Sequence, residues 1–289
     1  MKTKFSSSKL SFNKQRGFLH LPNDNIVKTI GVATLLCLLC SVIVSGAATA
    51  LKPRQVANKL LDKKSNILSV AGISDETKSV DELFGQIEAR IVDMATGEFT
   101  DAVDATNFDQ RKAANDAEYR VALTGEQDLA SVGAISKYGN VYLVRDGSEV
   151  SKIILPISGY GLWSTMYGFI ALEGDARTVS SITFYEHGET PGLGAEIENK
   201  KWQASWNGKQ ITDEQGQPLL RLVKGGIDLK AVGSEYKVDG LAGATLTSNG
   251  VSNLIKFWMG ADAFGPYLER VRSGKAQASN MTSINGGKG

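Results

Sequence analysis

Cysteine is nearly absent. Both cysteines of the 289-residue chain, Cys37 and Cys40, fall in one apolar run, and none follows. The rest of the chain therefore has no disulfide, no thiolate nucleophile, and no cysteine ligand for zinc or an iron–sulfur cluster. A Cys-x-x-Cys pair raises redox or zinc chemistry. Inside an apolar helix, however, the two thiols read as small apolar side chains. Histidine is equally scarce, at His20 and His187. His20 precedes the apolar run, so a hydrolase triad or a histidine metal site would rest on His187 alone, which reads as a solvated loop residue. A net charge of +1 gives no field for nucleic acid. Nucleotide loops are missing too. Gly159-Tyr160-Gly161 and Gly192-Leu193-Gly194 lack the third glycine of a dinucleotide fingerprint, Gly208-Lys209 precedes Gln210 where a P-loop has Ser or Thr, and no G-x-S-x-G elbow occurs.

One long hydrophobic run is present. No charged residue lies between Thr29 and Leu51. These 23 residues, at about 1.5 Å each, are long enough for a bilayer core. Ala48-Thr49-Ala50 resembles a signal-peptidase site, but a signal core is usually about 7–15 residues. The run is therefore read as a retained transmembrane helix over 29–51. Six basic residues precede it (Lys2, Lys4, Lys9, Lys14, Arg16 and Lys28) and five follow closely (Lys52, Arg54, Lys59, Lys63 and Lys64). This slight excess places residues 1–28 in the cytoplasm as a polar tail and the main domain, 52–272, on the outer face. Residues 273–289 read as a disordered tail.

Within the main domain, Lys52 to about Leu68 is helix-compatible, and Val80–Ile91 reads as a short amphipathic helix. Arg90–Asp93 and Glu98–Asp101 are placed as a hairpin, and Gln110–Gln127 as helix plus loop. Strands are expected at Val141–Arg145, turning at Asp146-Gly147, and at Lys152–Ile157, Gly161–Leu172 and Thr178–Glu186. Val251, Leu254, Ile255, Trp258 and Met259 form a helical stripe ending near Gly260. Ala263–Val271 is a further helix. The fold class is α+β: an antiparallel sheet with flanking helices, preceded by one N-terminal transmembrane helix.

The stretch Asp239-Gly240-Leu241-Ala242-Gly243-Ala244-Thr245-Leu246-Thr247-Ser248-Asn249-Gly250 feeds into that striped helix. Thr247, Ser248 and Asn249 are all candidate N-caps, which puts Thr245 just before the helix. Free N–H groups and the helix dipole favour an anion there, and the glycines permit close approach. On these residues alone, a glycine turn with a helix cap is the favoured description.

Asp239–Thr245 resembles the flavinylation motif D-G-x-[S/T]-G-A-T of the FMN-binding domain family. That family includes NqrC, the flavin-bearing subunit of the Na+-translocating NADH:quinone reductase, and its counterpart in the related Rnf electron-transport complex. Leu155–Trp163, Glu186–Gly194 and Val223–Gly226 resemble its other glycine loops, in the same order. Ala242 departs from the pattern, standing where the family usually has Ser or Thr. The resemblance implies FMN held covalently by a phosphoester to Thr245, with Gly243, Ala244, Leu246 and Thr247 around the phosphate. Leu162, Trp163 and Leu193 would be ring walls. Thr190 and Gly192 would sit at the ring's polar edge, and Lys224 would supply positive charge near the ring. It also implies a flavin transferase that draws FMN from FAD with Mg2+. The implied partners are the other five subunits (A, B, D, E and F) of a six-subunit NADH:ubiquinone reductase in the bacterial inner membrane, with this domain periplasmic. The chain's length favours the Na+-pump member of the family over the Rnf one. A membrane-tethered binding domain without redox function is the alternative.

Overall fold

The computed structural model describes residues 26–276. They belong to two compact units, one ending at Leu60 and one beginning at Leu61. Helix α1 spans Ile26–Ala71 without interruption. It is long and apolar enough to cross a membrane, with a mean hydropathy of 2.3 over its most apolar window. The helix starts earlier than the expected 29–51 segment and absorbs the polar stretch after Lys52. Pro53 lies inside it, although an interior proline costs about 3 kcal/mol. Good helix formers on both sides, including Ala50, Leu51, Lys52 and Arg54, favour continuation.

The second unit is built on a five-stranded antiparallel sheet. Helix α2, Val80–Phe84, opens with a capping box in which Ser79 and Glu82 bond reciprocally. The helix expected to reach Ile91 stops there, and Ile87–Asp93 forms strand β1. The partner of β1 is a distant strand, and the expected hairpin is reduced to one bridge, Val92 to Phe99. A tertiary pairing overrides the local pattern here. Helix α3 is the short segment Gln110–Ala113. Strands β2, Arg120–Ala122, and β3, Ala134–Ser136, make a small ribbon. The meander follows as β4 Tyr138–Asp146, β5 Glu149–Tyr160, β6 Thr165–Glu173 and β7 Val179–Glu186. The sheet order is β1-β4-β5-β6-β7. Gly147 turns β4 into β5 with φ +61°.

Both sheet faces are covered, which explains the unbroken apolar run Ile153-Ile154-Leu155 in β5. Ile154, Tyr142, Phe169 and Ala171 face the end of α1 through Ile67, Leu68, Val70 and Ala71. Lys152 Nζ donates to Ala71 O at 2.8 Å and caps that helix end. Ile153, Leu155 and Ile157 face the other core. A short helix α4, Lys200–Ala204, precedes a parallel pair, β8 Arg221–Val223 and β9 Lys237–Asp239. Helices α5, Thr245–Trp258, and α6, Gly265–Arg272, complete that core. The expected stripe is the buried face of α5.

Three contacts set α5 along β5. A Cβ on Gly250 would collide with Tyr160 O, and one on Gly159 would stand 2.6 Å from Leu254 Cβ. Trp258 Nε1 donates to Ser158 O at 2.6 Å. The N-terminus of α5 is thereby delivered to the end of β5. The stretch 155–160, read as a glycine loop, is strand; its glycine at 159 serves helix packing. The tail expected from Ser273 begins ordered, with Ser273 N–H bonded to Glu269 O at 2.9 Å and Ala276 buried. Residues 1–25 and 277–289 lie outside the described residues.

Leu254 is fully buried against β5. Leu254→Ala is expected to cost about 2–5 kcal/mol, read as a lower unfolding midpoint of the detergent-solubilised full chain.

Candidate functional site

Three connections converge on the first turn of α5. The first is the turn 161–164 between β5 and β6, closed by Gly161 N–H to Ser164 O at 2.9 Å. The second is the loop after β7, residues 187–193. The third is the segment 240–244, which leads from β9 into α5. Thr245 is the first helical residue and is exposed. The position before it is Ala244, which has no side-chain acceptor, so no side chain caps the helix. The cap expected at Thr247, Ser248 or Asn249 is thus corrected: all three lie inside the helix, and the hydroxyls of Thr247 and Ser248 are used otherwise. Ser248 Oγ accepts Leu241 N–H at 2.9 Å and donates to Ala244 O at 3.0 Å, stapling the preceding segment to the helix. Thr247 is buried and its hydroxyl donates to Glu189 Oε2 at 2.5 Å.

Glu189, passed over in the sequence, joins the first two connections to the first turn of α5. Its other oxygen accepts the N–H groups of Leu162 at 2.9 Å and Trp163 at 3.0 Å. Glycine on both sides makes room for this carboxylate. A Cβ on Gly161 would meet Glu189 Oε1 at 2.5 Å, and one on Gly194 would meet Thr247 Oγ1 at 2.6 Å and Glu189 Oε2 at 2.7 Å. Those two glycines were the available signal, but which carboxylate fills the gap between them is decided only by the fold. Burial opposes ionisation of Glu189, yet the bonds from the Thr247 hydroxyl and the backbone N–H groups of Trp163 and Leu162 outweigh it. Its carboxyl is held below the usual carboxylate range. His187 is not solvated as expected. Its side chain is 8% exposed, Nε2 lies 3.0 Å from Glu198 Oε1, and Nδ1 accepts Glu189 N–H at 3.1 Å.

Around this junction four apolar side chains face solvent: Trp163 at 63% exposure, Leu246 at 58%, Leu193 at 43% and Leu162 at 39%. Trp163 Nε1 donates to Thr190 Oγ1 at 3.1 Å, so the Thr190 oxygen already orients the indole. Leu193 lies over the motif segment, its Cδ2 3.0 Å from where a Cβ on Gly243 would stand. Gly243 and Gly192 have φ of +73° and +75°, which glycine alone adopts freely. Ala242 is exposed. Lys224 is exposed just past the end of β8, beside Val223, whose carbonyl accepts Gly240 N–H at 2.8 Å.

The model of the FMN-binding domain family matches residues 161–260, which contain all three connections. The chain is 54% identical over 253 residues to the NqrC-type subunit of the Na(+)-translocating NADH-quinone reductase of Vibrio vulnificus, covering 87% of this chain and 98% of that one. The chain belongs to the NqrC family. The NqrC of Pseudomonas aeruginosa is 47% identical over 257 residues, covering 88% and 98% of the two chains. Among solved structures, the crystal structure of Shewanella oneidensis NqrC matches with a TM-score of 0.69 at 30% identity, covering 75% of this chain and 99% of that one. As an NqrC, the chain is part of a multi-subunit oxidoreductase and carries an FMN-binding domain.

The lowered pKa of Glu189 fixes a sign. A carboxyl whose folded value lies below its unfolded one contributes stability above the unfolded value, and that stability is lost as pH falls through the folded one. The junction is expected to hold above about pH 4.3, the ordinary glutamate value, and to open in more acid solution. Hydrogen exchange at the Leu162 and Trp163 amides, corrected for intrinsic rates, should keep its protection above that pH and lose it as the pH falls further, through the lower folded value.

Proposed function

We propose that Thr245 carries FMN through a phosphoester and that the chain is the flavin-bearing electron-transfer subunit of a Na+-exporting NADH:quinone reductase. The observation that carries this reading is the exposed Thr245 hydroxyl on the uncapped first turn of α5, surrounded by exposed apolar side chains.

The residues fit the group. A phosphate on Thr245 would meet the free N–H groups of Thr245, Leu246 and Thr247 and the positive end of the helix dipole. Ala244 leaves no side chain in the way, and Gly243 lets the backbone come close. Trp163, Leu162, Leu193 and Leu246 offer the flat apolar walls that a flavin ring needs, and burying them would remove apolar surface from water. The backbone around Gly192 stands at the edge of these walls, and Lys224 would add positive charge nearby. When bound, FMN supplies one- and two-electron redox chemistry. The chain's own part is to hold it, to keep water from its faces, and to present it to partners.

Among the described residues no side chain bonds the Thr245 hydroxyl, so the reading assigns the activating base to an external flavin transferase. The Thr245 oxygen would bond to the flavin-side phosphorus of FAD, the pyrophosphate bond would break, and AMP would leave. The hydroxyl proton would go to the transferase. Such a tether keeps the cofactor at roughly millimolar local concentration, which matters where free FMN is scarce. Residues 29–51 of α1 would cross the inner membrane, with 1–28 cytoplasmic and 52–272 periplasmic. The other five subunits of the complex (A, B, D, E and F) would be the partners.

After co-expression with a flavin transferase, the wild-type chain is expected to fluoresce in a denaturing gel and Thr245→Val to be dark. A fluorescent Thr245→Val band would contradict the attachment point, and a dark wild-type band would favour a tethered domain without redox function. Sidedness has its own test, because no native cysteine follows Cys40. A cysteine placed at Ser148, in the β4–β5 turn, should react with a membrane-impermeant maleimide in spheroplasts. Labelling only after lysis would contradict the periplasmic placement.

A further inference from the structure

We propose that Glu189 is a positioning residue that locks the Leu162–Trp163 turn to the first turn of α5 and so fixes the wall on which the flavin ring rests. This rests on Thr245 being the attachment point.

Glu189 is only 5% exposed. A carboxylate is expensive to bury unless its oxygens are hydrogen-bonded, and here three donors converge on it from two separate elements. Two are the consecutive N–H groups of Leu162 and Trp163, and the third is the hydroxyl of Thr247. Thr247 stands two residues beyond Thr245, on the same helical turn. One side chain thus ties the apolar turn to the helix start that would hold the phosphate. The chain excludes a Cβ on either side of that link, at Gly161 and at Gly194.

The next residue extends the grip. Thr190 Oγ1 accepts the Trp163 indole N–H, so Trp163 is held at its main chain by Glu189 and at its ring by Thr190. Thr190 O also accepts Leu193 N–H at 3.1 Å, which fixes the second apolar wall to the same loop. An indole that is 63% exposed would otherwise sample several rotamers. Two bonds on consecutive residues restrict it before any ligand arrives, which lowers the ordering cost of seating a ring. Glu189 acts through Trp163, Leu162 and Thr247 and is not assigned a contact with the reacting atoms.

The two variants Glu189→Gln and Glu189→Ala separate positioning from plain stabilisation. In Glu189→Gln the amide oxygen can accept both backbone N–H groups while the NH2 donates to Thr247 Oγ1, so the geometry survives. Glu189→Ala removes all three bonds. The full chain is co-expressed with the transferase and purified. It is then examined by denaturing-gel fluorescence, visible circular dichroism of the oxidised flavin, flavin emission in the folded state, and thermal melting. The expectation is that Glu189→Ala keeps gel fluorescence but loses most of its visible circular dichroism. Its folded-state emission should rise as the indole ceases to quench the ring. Glu189→Gln should restore both signals. Thr247→Val, which removes one bond, should lose part of the dichroism and serves where Glu189→Ala does not fold. Wild-type dichroism and emission in Glu189→Ala or Thr247→Val, with only a lower melting point, would overturn the proposal. A fluorescent Thr245→Val control would instead show that the attachment point is wrong, whatever the Glu189 variants do.

Discussion

The free N-terminus of α5 is the constraint around which the site is arranged. A helix leaves its first N–H groups without internal partners, and here the residue in the capping position is alanine. The helix cannot shift to relieve this. Gly250 lies against the Tyr160 carbonyl, Leu254 against Gly159, and the Trp258 indole is bonded to Ser158. Each contact is one turn further along the same face, and together they pin α5 to the end of β5. The buried stripe supplies the energy for that docking, and the glycines supply the closeness. The donors of the first turn are consequently presented beside the β5–β6 turn, where Trp163 and Leu162 stand.

Electrostatics at this junction are balanced locally. Glu189 places a negative charge under the first turn, on the inner side, where the Thr247 hydroxyl and two backbone N–H groups satisfy it. Thr245 faces outward on the same turn. The positive end of the helix dipole thus has a fixed acceptor inside and an open face outside. Such an arrangement is rigid without being closed. It suits the proposed role of holding a large planar group at the surface.

Some of this was readable in the chain. The period of Val251, Leu254, Ile255, Trp258 and Met259 identified α5 and its buried face, and Asp146-Gly147 identified the β4–β5 turn. The loops around Trp163, Thr190 and Gly243 were singled out, and the fold brings them together. Other features depended on distant partners. Residues 87–91 have a helix-compatible pattern, but pairing with β4 makes them strand. The start of α5 was misplaced because Thr247 and Ser248 are good caps by residue type. In the folded chain their hydroxyls bond Glu189 and the Leu241 N–H instead. His187 looked like a solvated loop residue, and Glu189 drew no role, because nothing local reveals that the loop folds inward. Lys224 was assigned a charge near the ring; the structure places it beside Val223, whose carbonyl bonds the motif segment at Gly240.

Family membership fixes the chain as an NqrC, and the outstanding chemical question is what Thr245 carries. Trypsin would release the peptide from Val238 to Lys256, which contains Thr245, Thr247, Ser248 and Ser252. Fragmentation mass spectrometry of that peptide from the assembled complex is the most direct measurement. A mass gain of one FMN less one water, localised to Thr245, is the expected result. Recovery of the peptide unmodified, or with the flavin on Thr247, would contradict the assignment.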